Sequence, residues 1–188
     1  MEKIIMGERT MRLAAGDRFP DFSVETNRRK LVIPEELGRK TVLWVIRYIG
    51  CPVCRYDVHL LAEKYDQITA KGYDLFVVMQ SDTEHIKRDL EGADIPFEII
   101  CDPELKIYDA LEIKPAKNEL ALVGNILKLK AKGDRAKALG FVHGDYEGNE
   151  LQLPALFILG EDGTVTYSRY GKNITDMPSV DELIGMLD

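Results

Sequence analysis

Hydrophobic and polar positions along the chain alternate between two rhythms. Thr41–Arg47 (TVLWVIR) and Tyr73–Met79 (YDLFVVM) are near-continuous apolar runs rich in β-branched and aromatic residues, the pattern of strands covered on both faces. Phe97–Cys101, Ala155–Leu159 and Val165–Tyr170 read as further strands, the last two forming a hairpin through Glu161-Asp162-Gly163. Short strands are expected near Phe22–Glu25 and Leu31–Ile33. Between the strands the period lengthens. Cys54, Val58, Leu61, Tyr65 and Ile68 recur at steps of four and three, one face of a helix ending near Gly72. Ser81 with Glu84 offers a capping box for a helix that should stop at Gly92. Asp102-Pro103 opens a short helix with Asp as its cap, and Ser179 with Glu182 caps a last one, whose Val180, Leu183, Ile184 and Leu187 form a buried stripe. Lys117–Lys132 reads as an amphipathic helix with Leu120, Val123 and Leu127 on its apolar side, and Gly133–Asn149 as a long polar loop.

Strands alternating with helices predict an α/β sandwich with parallel central strands, and the final hairpin adds an antiparallel edge that makes the sheet mixed. We expect one domain over residues 1–188, with an insertion at about 115–150.

Composition narrows the chemistry. Asp and Glu outnumber Lys and Arg by 32 to 25, giving a net charge of −7, which argues against a nucleic-acid partner. The local basic cluster Lys128, Lys130, Lys132, Arg135 and Lys137 reads as a solvated helix face. Met1–Arg12 is polar and no run reaches signal-peptide or membrane-spanning length, so we expect a cytoplasmic protein without a membrane partner. In that reducing compartment three cysteines are not a disulfide scaffold. The pair Cys51-Pro52-Val53-Cys54 then means redox chemistry or metal binding.

The pair sits where a buried strand gives way to a helix. Unpaired N–H groups and the positive end of the helix dipole stabilise a thiolate at Cys51. Cys54, one turn in, can attack a mixed disulfide and release the product. Arg47 and Arg55 are expected to add positive potential. A zinc site would need more ligands than the sequence groups together: His59, His85 and His143 are scattered and Cys101 stands alone, so neither metal nor cofactor is expected. Cys101 and Trp44 read as core, Arg169 and Tyr170 as structural, and His143 as exposed.

The run VLWVIRYIGCPVCRYDVHLL resembles the alkyl hydroperoxide reductase/thiol-specific antioxidant (AhpC/TSA, redoxin) superfamily, nearest its peroxiredoxin-like branch that includes prostamide/prostaglandin F synthase. GDRFPDF near the start and LPALFILGEDGTVTYSRYGKNITDMPSVDELIGML at the end are similar to it too. The resemblance implies a thioredoxin-like, peroxiredoxin-type three-layer sandwich and an antioxidant oxidoreductase. In a thioredoxin fold Pro154 would be a cis-proline facing the cysteines, with Leu153 presenting backbone groups to a substrate strand.

Two departures stand out. Peroxiredoxins carry a Thr-x-x-Cys motif and a distant arginine that bind the peroxide. Here the threonine position holds Cys51 if Cys54 is matched to the peroxidatic cysteine, or Tyr48 if Cys51 is. The arginine position holds Pro154. We therefore expect a dithiol–disulfide cycle in which Cys51 attacks a disulfide or peroxide, Cys54 resolves it, and a thioredoxin- or glutathione-type reductant restores the pair. A thiol-dependent peroxidase acting on a hydroperoxide or lipid endoperoxide, and a metal-binding or non-catalytic module, are the alternatives. The oligomeric state is open.

Overall fold

A computed structural model describes residues 11–188, so most of the Met1–Arg12 segment that carries the polar-terminus expectation lies outside the described residues. Seven strands form one sheet: β1 (Phe22–Thr26), β2 (Lys30–Ile33), β3 (Lys40–Val45), β4 (Tyr73–Met79), β5 (Glu98–Cys101), β6 (Ala155–Leu159) and β7 (Val165–Tyr170). Their order is β2-β1-β5-β4-β3-β6-β7. β3, β4 and β5 run parallel, while β6 lies antiparallel to β3 and β7 antiparallel to β6, with Trp44 opposite both Val77 and Leu156. The sheet is mixed, as the strand pattern predicts.

Both faces are covered, which is why β3 and β4 read as unbroken apolar runs. Val42, Trp44 and Ile46 pack with Leu75, Val77 and Met79 under α1 (Pro52–Glu63), α2 (Tyr65–Ala70), α3 (Thr83–Asp89) and α7 (Val180–Met186). Leu43 and Val45 pack with Phe76 and Val78 on the opposite face, under α4 (Lys106–Ala110) and the Leu13–Phe19 segment. Each side chain so buried contributes about 1.5–3 kcal/mol. Tyr108 of α4 donates from its hydroxyl to the carbonyls of Ile46 and Val78, tying together the ends of β3 and β4 from which the Cys51 loop departs.

Several local expectations shift for identifiable reasons. Of the stripe from Cys54 to Ile68, Cys54, Val58, Leu61 and Ile68 are buried and Tyr65 half-buried, but the helix breaks at Lys64 into α1 and α2. Ser81 does not cap α3: Asp82 does, accepting from the His85 amide at 2.9 Å, while the buried Ser81 hydroxyl accepts from the Ile49 amide at 2.8 Å. Asp102 caps from a distance, its carboxylate accepting from the Lys106 and Ile107 amides, so α4 starts three residues later than Asp102-Pro103 suggests. The hairpin turn at Glu161–Gly163 and the Ser179–Glu182 capping box form as expected.

The largest change lies between α4 and β6. The single helix expected over Lys117–Lys132 is two, α5 (Glu119–Val123) and α6 (Ile126–Ala138), capped by Asn118 and Asn125. They part at Gly124, where φ is +55° and an added Cβ would meet Asn173 at 2.5 Å. Leu120 and Leu127, read as one apolar side, are 82% and 77% exposed, whereas Leu122 and Ala136 are buried. A stripe spaced for one helix does not continue across the break at Gly124. The loop expected from Gly133 begins only after Ala138.

Candidate active site

β3 ends at Val45, and the chain leaves the sheet through Ile46–Gly50 into α1. Cys51 is the N-cap residue, with Pro52 at the first helical position, where its missing N–H costs nothing. Cys54 lies one turn further on the inner face of α1. Both cysteines are free and buried, at 1% and 2% exposure.

The two sulfurs are not equivalent. The Cys54 thiol donates to Cys51 Sγ, and the Arg47 guanidinium stands against the same sulfur with Nη2 at 2.9 Å. Against the opposing cost of burial, these hold Cys51 down to about 6. Burial pushes Cys54 far up, and sharing its hydrogen with a charged Cys51 adds to that. The negative charge therefore resides on Cys51 and the proton on Cys54.

Arg47 is held in place from two sides. Its backbone carbonyl accepts from the Gln80 amide at 2.8 Å, and its Nη1 donates to the Glu150 carbonyl at 2.5 Å. Glu150 ends a strap, residues 141–150, that crosses the mouth of the site. The Gly144 amide donates to the Gly50 carbonyl at 2.8 Å, Glu147 accepts from Ser81, and Asn149 exchanges hydrogen bonds with the Gln80 side chain. Gly50 permits this closeness, since a Cβ there would lie 2.2 Å from the Asp145 carbonyl oxygen. Gly50→Ala is expected to push the strap outward, costing about 1–3 kcal/mol of stability and speeding iodoacetamide labelling of Cys51. Thermal denaturation and timed alkylation check both, and unchanged labelling would mean that the strap does not shield the sulfur.

Beside the strap a cleft of about 840 Å³ is bordered by Arg47, Tyr48, Leu120, His143, Tyr146 and Glu150. His143 is exposed as expected, yet its Nε2 lies 3.3 Å from the buried Tyr48 hydroxyl. The larger part of the polar frame, from Gln80 and Ser81 to Glu147 and Glu150, carries no motif by which the sequence would announce it.

The other expected site residues are dispersed. Arg55 turns away from the sulfurs, donating to the Asp89 carbonyl at 2.9 Å and lying over the Phe141 ring. That corrects its expected electrostatic role, because its position on α1 faces α3 and the strap. Pro154 does approach Cys54 and shares a small void with it, but the Leu153–Pro154 bond is trans; among the described residues the cis bond is Ile33–Pro34. The Leu153 carbonyl accepts from Gln152 and the Pro154 carbonyl from the Gly171 amide, which leads the chain straight into the β6–β7 pairing. Cys101, at the end of β5, is partly buried, and burial pushes its thiol up to about 12. Among the described residues no group of three or more His, Cys, Asp and Glu is arranged to hold a metal, and no helix is long and apolar enough to cross a membrane.

Known proteins share this architecture. The chain is 26% identical over 151 residues to the thioredoxin-like protein AAED1, chloroplastic, of Arabidopsis thaliana, a match covering 78% of this chain and 61% of that protein. It is 27% identical over 125 residues to a peroxiredoxin of Hyperthermus butylicus, covering 63% of this chain and 54% of the relative. The chain thus spans roughly three-fifths or less of the length of these curated relatives. Among solved structures, a cysteine-to-serine variant of peroxiredoxin 6 of Arenicola marina superposes with a TM-score of 0.65 at 20% identity, covering 94% of this chain and 72% of that one. A peroxiredoxin-like protein of Aquifex aeolicus gives 0.62 at 20% identity, covering 94% and 86%. At such identities the superpositions show a shared fold. The sequence match reaches further, because the family model for AhpC/TSA aligns with residues 15–168, from the turn at Gly16 through both cysteines to β7, and the chain belongs to the AhpC/TSA family.

Proposed function

We propose that this chain is a thiol-dependent oxidoreductase in which Cys51 is the attacking thiolate, Cys54 the resolving thiol, and a hydroperoxide the favoured oxidant. The observation that carries it is the Arg47 guanidinium at 2.9 Å from Cys51 Sγ. It supports the thiolate and supplies, from the loop after β3, the positive charge that the family's distant arginine would bring and Pro154 does not. In the first step Cys51 Sγ attacks the outer oxygen of ROOH. An S–O bond forms, the O–O bond breaks, and the departing RO⁻, facing Arg47, takes a proton to leave as ROH. Cys51 is then a sulfenic acid. Cys54 loses its proton and attacks Cys51 Sγ; water leaves and the Cys51–Cys54 disulfide forms. Two electrons from an external dithiol or glutathione-type reductant restore the pair, which suits a reducing cytoplasm.

A disulfide substrate is the second reading, favoured by the Cys-x-x-Cys spacing itself, but the Leu153 and Pro154 carbonyls are already engaged by Gln152 and Gly171, which leaves less backbone for a substrate strand. Single-turnover mass spectrometry separates the two. The reduced protein is mixed in turn with hydrogen peroxide, an organic hydroperoxide and a model disulfide, and the cysteine products are mapped. Faster Cys51–Cys54 disulfide formation with a hydroperoxide supports the peroxidase. Rapid reaction only with the model disulfide would make it a reductase, and no disulfide with any oxidant would sink both.

A further inference from the structure

One buried ion pair takes no part in the cycle so far. Asp57 lies on α1 three residues after Cys54, hence on the same inward face. Its carboxylate is 12% exposed and grips Lys132 of α6, whose Nζ sits 2.6 Å from Oδ1 and 2.7 Å from Oδ2. A charged pair held this far from water must be compensated closely, and replacing it with apolar residues would often cost nothing. Its location singles it out. Asp57, Cys54, Arg47 and Pro154 line one void of about 10 Å³, the scale of a single water. Arg47, one of the lining residues, also carries a buried Nε with no protein partner, a donor left over beside the carboxylate and the thiol.

We propose that Asp57 is the proton acceptor for Cys54 in the resolving step, with the proton passing through one water in this void and Lys132 keeping the carboxylate ionised. The proposal rests on Cys51 and Cys54 being the redox pair. Cys54 needs such help because burial, the largest force holding its proton, persists after Cys51 has reacted. When Cys51 carries a mixed disulfide or a sulfenic acid, that charge is gone. The Cys54 S–H proton then moves to Asp57, Cys54 Sγ bonds to Cys51 Sγ, and the thiolate or hydroxide leaving Cys51 takes up a proton. No electrons are needed beyond those of the thiols.

The titratable and charged groups facing this carboxylate and thiol are Lys132 from α6, Arg47 and Tyr48 from the loop after β3, Cys51 at the head of α1, and Tyr108 of α4, which burial keeps protonated. Burial raises the Asp57 carboxyl above its ordinary value and Lys132 opposes that rise. The resolving rate should therefore climb as Asp57 loses its proton and stay level above that pH.

The test uses an aryl disulfide that releases a coloured thiolate twice, once on Cys51 attack and again on resolution by Cys54. Asp57→Asn keeps the shape and removes the acceptor. Its first release should stay near the unsubstituted rate, while its second should be about a hundredfold slower at neutral pH and recover tenfold per pH unit as Cys54 ionises unaided. A purely structural role would slow both releases, or slow the second equally at every pH, and either result overturns the proposal. Lys132→Gln is the second variant: without its cation the carboxyl holds its proton to higher pH, so the acid limb of the second release must shift upward. An unmoved limb overturns the proposal even if Asp57→Asn fails to fold. Should the unsubstituted protein form no Cys51–Cys54 disulfide, the redox reading itself fails and takes this step with it; a disulfide formed equally fast in Asp57→Asn removes only the role of Asp57.

Discussion

Cys51→Ser is expected to reduce consumption of a hydroperoxide or model disulfide by at least about a thousandfold, to the background of the solution reaction. A serine hydroxyl cannot ionise beside Arg47 at neutral pH, and Cys54 cannot take over because burial keeps it protonated. Cys54→Ser should behave differently. Its hydroxyl can still donate to Cys51 Sγ, so the first attack should remain within about tenfold of the unsubstituted protein. The reaction then stops at a Cys51 sulfenic acid or mixed disulfide. Trapping with a sulfenic-acid reagent and intact mass would show one oxygen or one thiol adduct on Cys51 and no internal disulfide. Full turnover by Cys51→Ser, or a Cys54→Ser protein that loses the first step as well, would reverse the assignment of the two sulfurs.

Arg47→Met is expected to move the whole pH profile of Cys51. In the unsubstituted protein the reactivity of Cys51 should rise as pH passes about 6 and then level, because the thiolate is held by the Cys54 thiol and by Arg47 against the cost of burial. The sign is that of an acid whose ionised form is favoured: thiolate is present above that pH and lost below it. Removing the guanidinium leaves the burial cost with less opposing it, so the rise should shift upward toward the ordinary thiol value of 9.0. With iodoacetamide at neutral pH the net loss should be only a few-fold, since a more basic thiolate is intrinsically more nucleophilic and offsets part of the lost population. Above the shifted rise the variant should match or overtake the unsubstituted protein. With a hydroperoxide the loss should be larger, about a hundredfold, because Arg47 also faces the departing oxygen. A profile that stays in place would separate Arg47 from the thiolate despite their 2.9 Å contact.

The chain also shows which kinds of information its sequence carries locally. β3 and β4 were legible because strands covered on both faces need apolar residues at every position, and TVLWV and LFVVM supply them. The α7 capping box was legible because its partners lie within one turn of each other. The α3 cap lies one residue from the position local spacing predicts, since Ser81 and Asp82 are equally good caps and only the distant Ile49 amide decides which oxygen is engaged elsewhere. The apolar stripe of α5 and α6 failed because Gly124 lets the chain turn, so residues spaced for one face end up on several.

At the site, the Cys51–Cys54 pair, its place at a strand-to-helix junction and the nearness of Arg47 could be read locally, because all of these follow from positions a few residues apart. Long-range packing sets which sulfur is charged, that Arg47 rather than Arg55 meets it, that Leu153–Pro154 is trans, and that residues 141–150 lie across Cys51. The Asp57–Lys132 pair belongs there too, joined across 75 positions by the packing of α6 on α1. Spacing along a helix or strand fixes which side chains share a face. A hydrogen bond between segments a hundred residues apart depends on the path of every element between them, and on burial, which sets the cost of a charge only once the fold has closed around it.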